Sequence, residues 1–205
     1  GTDMKFLLIS LLALIPGAPA AALAGDITEL TAQCDSCHGP QGISSDSDMP
    51  IIGGQSAEYI SDSLESFQDW GRPCIKSKYR HGDTSRPKTD MCKIAGGLSN
   101  EDIAALSEHY SSLPFVAAKQ EFDSAQAAAG AALHEEFCES CHEQGGKSAG
   151  RGPRIAGQWV VYLRSALKFV PTGEHLVPPA MEKSVADMST EDLAALMNFY
   201  ASQQD

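Results

Sequence analysis

The run Cys34-Asp35-Ser36-Cys37-His38 occurs a second time as Cys138-Glu139-Ser140-Cys141-His142. Two thiols at this spacing can add across the two vinyl groups of a haem, and the histidine that follows then lies beneath the macrocycle as an axial iron ligand. Two other chemistries use Cys-x-x-Cys. Zinc would want a second ligand pair close by, and each motif stands alone. A thioredoxin-like redox pair sits in a strand–helix alternation, and neither copy does. The reading adopted is covalent attachment of one haem c at each motif, through Cys34, Cys37 and His38 and through Cys138, Cys141 and His142.

The elements that must position these residues are themselves duplicated. Gly54-Gln55 matches Gly157-Gln158, Tyr59 matches Tyr162, and Ser99-Asn100-Glu101-Asp102 matches Ser189-Thr190-Glu191-Asp192. In each half a helix over 27–33 or 124–137 leads to the motif, and a loop then ends at Pro50 or Pro153. A helix follows over 57–69 or 159–169. The last helix has Ser99 or Ser189 as N-cap and Asp102 or Asp192 three residues on. Behind the caps, Ile103, Leu106 and Tyr110, and likewise Leu193, Leu196, Met197 and Tyr200, recur at helical spacing. Nothing reads as a strand, so the predicted class is all-α, with tandem domains over 25–115 and 116–205 and Pro114 closing the first. Domains this small have little core of their own, and a haem would supply apolar mass to each.

Opposite each histidine a methionine thioether would complete a high-potential haem iron. The repeat selects Met91 and Met181, which stand eight positions before Ser99 and Ser189 respectively. Met188 and Met197 read as packing residues, and Met49 faces Gly152 in the alignment. His81, His109, His134 and His175 have no histidine counterpart. The carbonyls of Pro50 and Pro153 are placed to orient the ligating imidazoles. Gln55, Tyr59, Arg154, Gln158 and Tyr162 are candidate contacts to the haem carboxylates.

The halves differ in one place. Tyr59 and Met91 are separated by 32 positions, Tyr162 and Met181 by 19. The extra polar segment holds Cys74, and Cys92 follows Met91; an exported protein would ordinarily pair them. A disulfide closing such a loop would add about 3 kcal/mol in the chain-entropy view. The alternative is a soft-metal site, such as Cu(I), on Cys74, Cys92 and His81.

Residues 1–24 carry Met4-Lys5, a short apolar run from Phe6 to Ile15, and Ala22-Leu23-Ala24 before Gly25. The run falls short of the ~20 residues of a membrane span, so it is read as a cleaved secretory signal with no span afterwards, and the protein as periplasmic. The formal charge of −12 argues against nucleic-acid or anionic-membrane partners. No Gly-x-Gly-x-x-Gly follows a strand, so any flavin belongs to another chain.

The chain resembles the dihaem cytochrome subunits of flavocytochrome c sulfide dehydrogenases, within the wider cytochrome c-four-like dihaem family. The resemblance is densest over Ala117-Ala118-Lys119-Gln120-Glu121-Phe122-Asp123, Gly130-Ala131-Ala132-Leu133-His134 and the second haem motif with Gly145-Gly146-Lys147. It resumes at Ala156-Gly157-Gln158-Trp159, Met181-Glu182-Lys183 and Phe199-Tyr200-Ala201-Ser202-Gln203-Gln204. Met91-Cys92-Lys93-Ile94-Ala95-Gly96-Gly97 carries it in the first half. It implies two tandem class I cytochrome c-like domains. It also implies a chain that is not catalytic by itself: it takes electrons from the FAD of a sulfide dehydrogenase subunit and hands them to a soluble acceptor. The alternative is a free dihaem carrier between a membrane complex and a terminal oxidase or reductase. A haem enzyme such as a peroxidase would need an open iron position, against which the paired methionines argue.

Overall fold

The computed structural model describes residues 26–150 and 152–205; the predicted leader, 1–24, lies outside them. The first half runs α1 (Ile27–His38), a 3-10 turn (Pro40–Gly42), α2 (Ala57–Gln68), α3 (Met91–Ala95) and α4 (Asn100–Ser111). The second runs α5 (Ser124–Phe137), α6 (Glu143–Gly146), α7 (Val160–Lys168), α8 (Pro179–Asp187) and α9 (Thr190–Ser202). Among the described residues the β-structure is one isolated antiparallel bridge, Ser77 to Thr89, inside the insertion.

The helix starts follow side-chain chemistry. Asp26 accepts from the Thr28 N–H at 2.7 Å and Ser56 from the Tyr59 N–H at 3.2 Å. Ser99 with Asp102, and Ser189 with Asp192, form reciprocal capping boxes, which satisfy backbone donors left open in the first turn. One boundary differs from expectation. α1 does not stop near Gln33 but continues through His38, so the first haem motif lies on its last turns. α5 ends at Phe137 with Cys138 as C-cap, and the second motif lies in the turn beyond it.

Each half closes on its own core. Ile60 and Leu64 of α2, Ala95 of α3, and Ile103, Leu106 and Tyr110 of α4 form the first. Leu163 of α7 and Leu196, Met197 and Tyr200 of α9 form the second. The helix that delivers the second motif crosses the last helix at Gly130, where a Cβ would stand 2.1 Å from the Ala195 carbonyl oxygen. Contact that close requires the missing side chain. Gly130→Ala is therefore expected to cost at least about 2 kcal/mol by overpacking, a fall of roughly 4–8 °C in thermal midpoint. A calorimetric midpoint equal to that of the parent protein would show that α5 and α9 do not cross this tightly.

The insertion is held down at both ends. Cys74 and Cys92 are joined as a disulfide with Cα atoms 5.5 Å apart. The N–H groups of Arg80 and His81 both donate to the Ser36 carbonyl, at 2.8 and 3.0 Å, which lays the loop over the end of α1. With both sulfurs bonded to each other, neither supplies a thiolate, and the soft-metal alternative loses two of its three ligands.

Candidate haem sites

In the first half the imidazole of His38 is buried, and its Nδ1 lies 2.9 Å from the Pro50 carbonyl oxygen. A carbonyl only accepts, so Nδ1 carries the proton and Nε2 keeps its lone pair for a metal. Burial holds this imidazole below its ordinary pKa, which favours the neutral, ligating form. In the second half His142 makes the same contact to Pro153 at 3.0 Å and is shifted the same way by burial. A Cβ on Gly152 would stand 2.9 Å from the His142 ring, so the absence of a side chain there leaves the imidazole its place.

Cys34, Cys37, Cys138 and Cys141 are free thiols. Burial pushes the Cys34 thiol up to about 11 and raises Cys37 and Cys138 as well. Each thioether would form by net addition of an S–H across a vinyl group, which consumes neither oxidant nor reductant.

The acid inside each motif shapes the loop that follows. Asp35 accepts the N–H groups of Gln41 and Gly42 at 3.1 and 3.2 Å, and Glu139 those of Gln144 and Gly145 at 2.7 and 2.9 Å. Tyr110 of α4 donates directly to Asp35 at 2.8 Å. Its counterpart Tyr200 instead meets Nδ1 of His134 at 3.0 Å, while Nε2 of His134 meets Glu139 at 2.8 Å. His134 is thus an internal bridge between α9 and the motif, buried to 1% exposure. The repeat contained the signal: Tyr110 pairs with Tyr200 and Asp35 with Glu139, and the histidine is the extra residue.

The two methionines are placed unequally. Met91 opens α3 and packs, with Cys34, against the first core. Met181 lies in the first turn of α8, partly buried. The residues packed against the second core include Cys138 and Met188 but not Met181. Cys34 and Met91 therefore pack on one core in the first half, whereas Met181 is not among the residues packed on the second.

Gln55 and Gln158, read from sequence as contacts to haem carboxylates, are committed elsewhere. Gln158 accepts from the Ile51 N–H and donates to the Ile51 carbonyl, both at 2.9 Å. Gln55 donates to the Arg154 carbonyl at 2.8 Å and accepts from its N–H at 2.9 Å. Ile51 and Arg154 are the residues that follow the two histidine-orienting prolines. Each half's glutamine thus grips the other half's histidine support, a reciprocal clamp with the symmetry of a homodimer interface inside one chain. Trp159 Nε1 donating to the Ser44 carbonyl at 2.9 Å and the Tyr162 N–H to the Ser47 carbonyl at 3.1 Å extend the junction. Tyr59 and Tyr162 meet there on the Arg72 guanidinium, at 3.5 and 3.2 Å.

Two cysteines and an oriented imidazole on one short segment, twice over, are a donor set that fits covalently held haem. Arg154 adds a buried Nε with no hydrogen-bond partner among the described residues, available to an anionic group.

Comparison with known proteins agrees. The family described as Cytochrome C oxidase, cbb3-type, subunit III matches residues 125–199. Cytochrome c-554(548) of Halomonas halodenitrificans is 35% identical over 79 residues, covering 38% of this chain and 82% of that protein. Cytochrome c4 of Pseudomonas aeruginosa is 36% identical over 90 residues, 43% of this chain and 40% of the relative. The solved cytochrome c4 of Acidithiobacillus ferrooxidans superposes with a TM-score of 0.66 at 22% identity, over 83% of this chain and 99% of that one. A thiosulfate dehydrogenase from Marichromatium purpuratum superposes with a TM-score of 0.63 at 27% identity, over 83% of this chain and 36% of that one.

The chain belongs to the c-type cytochromes, and its fold is that of the tandem cytochrome c domains of the solved cytochrome c4. Its cofactor is covalently bound haem c, and its chemistry is electron transfer.

Proposed function

We propose that this chain is the dihaem electron-accepting subunit of a sulfur-compound oxidoreductase in the periplasm. It takes electrons from the FAD-bearing subunit of a sulfide dehydrogenase and passes them to a soluble acceptor. Its domains are 25–115 and 116–205. One haem is held by Cys34, Cys37, His38 and Met91, and the other by Cys138, Cys141, His142 and Met181. When bound, each haem supplies a one-electron couple. The chain's residues attach it, orient the axial imidazole and exclude water.

The observation that carries the reading is the clamp made by Gln55 and Gln158. It fixes two one-electron sites to one another, an arrangement that lets one chain take both electrons of a two-electron donor such as a reduced flavin. The sulfide dehydrogenase partner rests on the sequence resemblance. A second reading, thiosulfate dehydrogenase as partner, is supported by the structural likeness to such an enzyme. It is also supported by 26% identity over 81 residues to a protein of Stutzerimonas stutzeri named as a thiosulfate dehydrogenase electron acceptor. With a formal charge of −12, the chain would dock on a surface offering Lys and Arg.

Co-expression with the FAD-bearing subunit, followed by size-exclusion and stopped-flow absorbance, tests the partner. The cytochrome alone is expected to stay oxidised in sulfide, and to be reduced rapidly once the flavin subunit is present. Reduction by thiosulfate through a thiosulfate dehydrogenase, with none through the flavin subunit, would favour the second reading. A cytochrome that elutes alone and is reduced only by a membrane quinol-oxidising complex would overturn both and leave a free carrier.

A further inference from the structure

The insertion of the first half departs from the rest of the chain in charge. Residues 72–93 hold seven of the 15 Lys and Arg but two of the 27 Asp and Glu, a net +5 against −17 for the remainder. Three of these cations are brought to one face. Ser77 and Thr89 exchange both backbone hydrogen bonds of the antiparallel bridge, at 2.7 and 3.0 Å, and Thr89 is buried. Side chains alternate along extended backbone, so the neighbours Lys76, Lys78 and Lys88 take the opposite, outward side, and all three are exposed. The same register sets Lys78 across from Lys88, a like-charge pairing that costs stability. The fourth neighbour, Asp90, is committed to capping α3, where it accepts the Lys93 N–H at 2.9 Å. Among the described residues none of the three lysines pairs with a carboxylate, whereas Arg80 meets Asp46 and Asp48.

This face stands at the first haem motif. The Lys78 carbonyl lies 3.9 Å from Cys37 Sγ, and the N–H groups of Arg80 and His81 donate to Ser36. Burial raises the Cys37 thiol while the charges of Arg80 and Arg86 act against it, so the field of the insertion reaches the point of attachment. Ile75, beside Lys76 in the chain, is 53% exposed. We propose that this face docks an acidic redox protein, which seats its Asp and Glu on Lys76, Lys78 and Lys88 around Ile75 and exchanges electrons with the first haem. Charge of one sign confined to one face steers an oppositely charged partner to that face. A membrane or a nucleic acid is an extended polyanion and would also meet the acidic remainder, whereas a protein with a local acidic patch need not. The chain thus offers faces of opposite sign, so the acidic partner and one offering Lys and Arg would not compete for one surface. The inference rests on haem being attached at Cys34 and Cys37, and not on which enzyme supplies the electrons.

The test is stopped-flow oxidation of the reduced holoprotein by hexacyanoferrate(III), which takes one electron from a ferrous haem and becomes hexacyanoferrate(II). By net charge alone, chain and reagent repel, and added salt would speed the oxidation of both haems. The expected result for one haem is the opposite: a phase that slows about tenfold as salt rises from ~10 mM to ~0.15 M, where the Debye length falls from about 30 Å to about 8 Å. In Lys76→Glu/Lys78→Glu/Lys88→Glu that phase should instead accelerate with salt. Lys119→Glu/Lys147→Glu/Lys168→Glu, which changes the net charge equally on the second half, should behave as the parent protein does. Poly-L-glutamate at low salt should bind the parent and suppress the same phase, and should do neither in the first variant. If that variant fails to retain haem, Lys76→Gln/Lys78→Gln/Lys88→Gln decides by the same readouts, with the salt dependence lost. Two phases that both accelerate with salt in the parent, or poly-L-glutamate bound as tightly by the variant, would overturn the proposal. So would phosphatidylglycerol vesicles bound through the three lysines while poly-L-glutamate is not. Peptide mass spectrometry showing no haem on Cys34 and Cys37 would overturn it together with the attachment on which it rests.

Discussion

Replacing Met91 by alanine is expected to erase the near-infrared sulfur-to-iron band of one haem and to lower that haem's potential by on the order of 0.1–0.2 V, within the ~0.8 V that axial ligands span. A thioether favours reduced iron, and without it the site falls to water or to a stronger donor. Met91 begins α3 behind the Asp90 cap and packs on the core shared with Cys34, so its loss leaves the rest of the site in place. Met181→Ala should do the same to the other haem. That position is the sharper test, because Met188 rather than Met181 packs on the second core. A Met181→Ala protein with an unchanged band, alongside a Met188→Ala protein that loses it, would transfer the ligand role to Met188.

Gln158→Ala is expected to cost about 3–5 kcal/mol, a large part of the 5–15 kcal/mol typical of a folded protein. The Ile51 N–H and carbonyl would both lose their partner, at roughly 1–3 kcal/mol for each buried polar group left unsatisfied. Ile51 is 1% exposed and Gln158 3%, so water cannot replace the amide without opening the junction. Gln55→Ala should act alike on Arg154. Because Ile51 adjoins Pro50, which orients His38, the first haem's potential should move with the loss of stability. Denaturant titration followed at the haem absorbance measures the effect; a change under 0.5 kcal/mol would mean that the halves do not depend on the clamp.

Much of this was legible in the sequence because duplication prints each feature twice. The haem motifs, the two serine caps and the proline carbonyls behind His38 and His142 could be found by matching the halves, and the structure has the caps and the histidine–proline pairs bonded as that matching implies. What was not legible depends on contacts distant in sequence. Gln55 and Gln158 were visible as a pair, but their acceptors lie 99 and 107 positions away, and nothing local distinguishes a clamp from a cofactor contact. The extent of α1 was missed because Cys, Asp and Ser near the motif are poor helix signals, and tertiary support decides their state. Arg72 lies in the segment where the halves differ, so the repeat could say nothing of it. His134 likewise breaks the repeat, and only its place between Tyr200 and Glu139 explains it.

The proposed ligation gives one chain two closed, six-coordinate haems, each between a histidine and a methionine. Magnetic circular dichroism of the oxidised holoprotein, normalised to a haem assay, tests it most directly. Two haem c per chain are expected, both low-spin, with the near-infrared histidine–methionine intensity of two sites. A single haem, or one high-spin centre that takes up carbon monoxide when reduced, would contradict it.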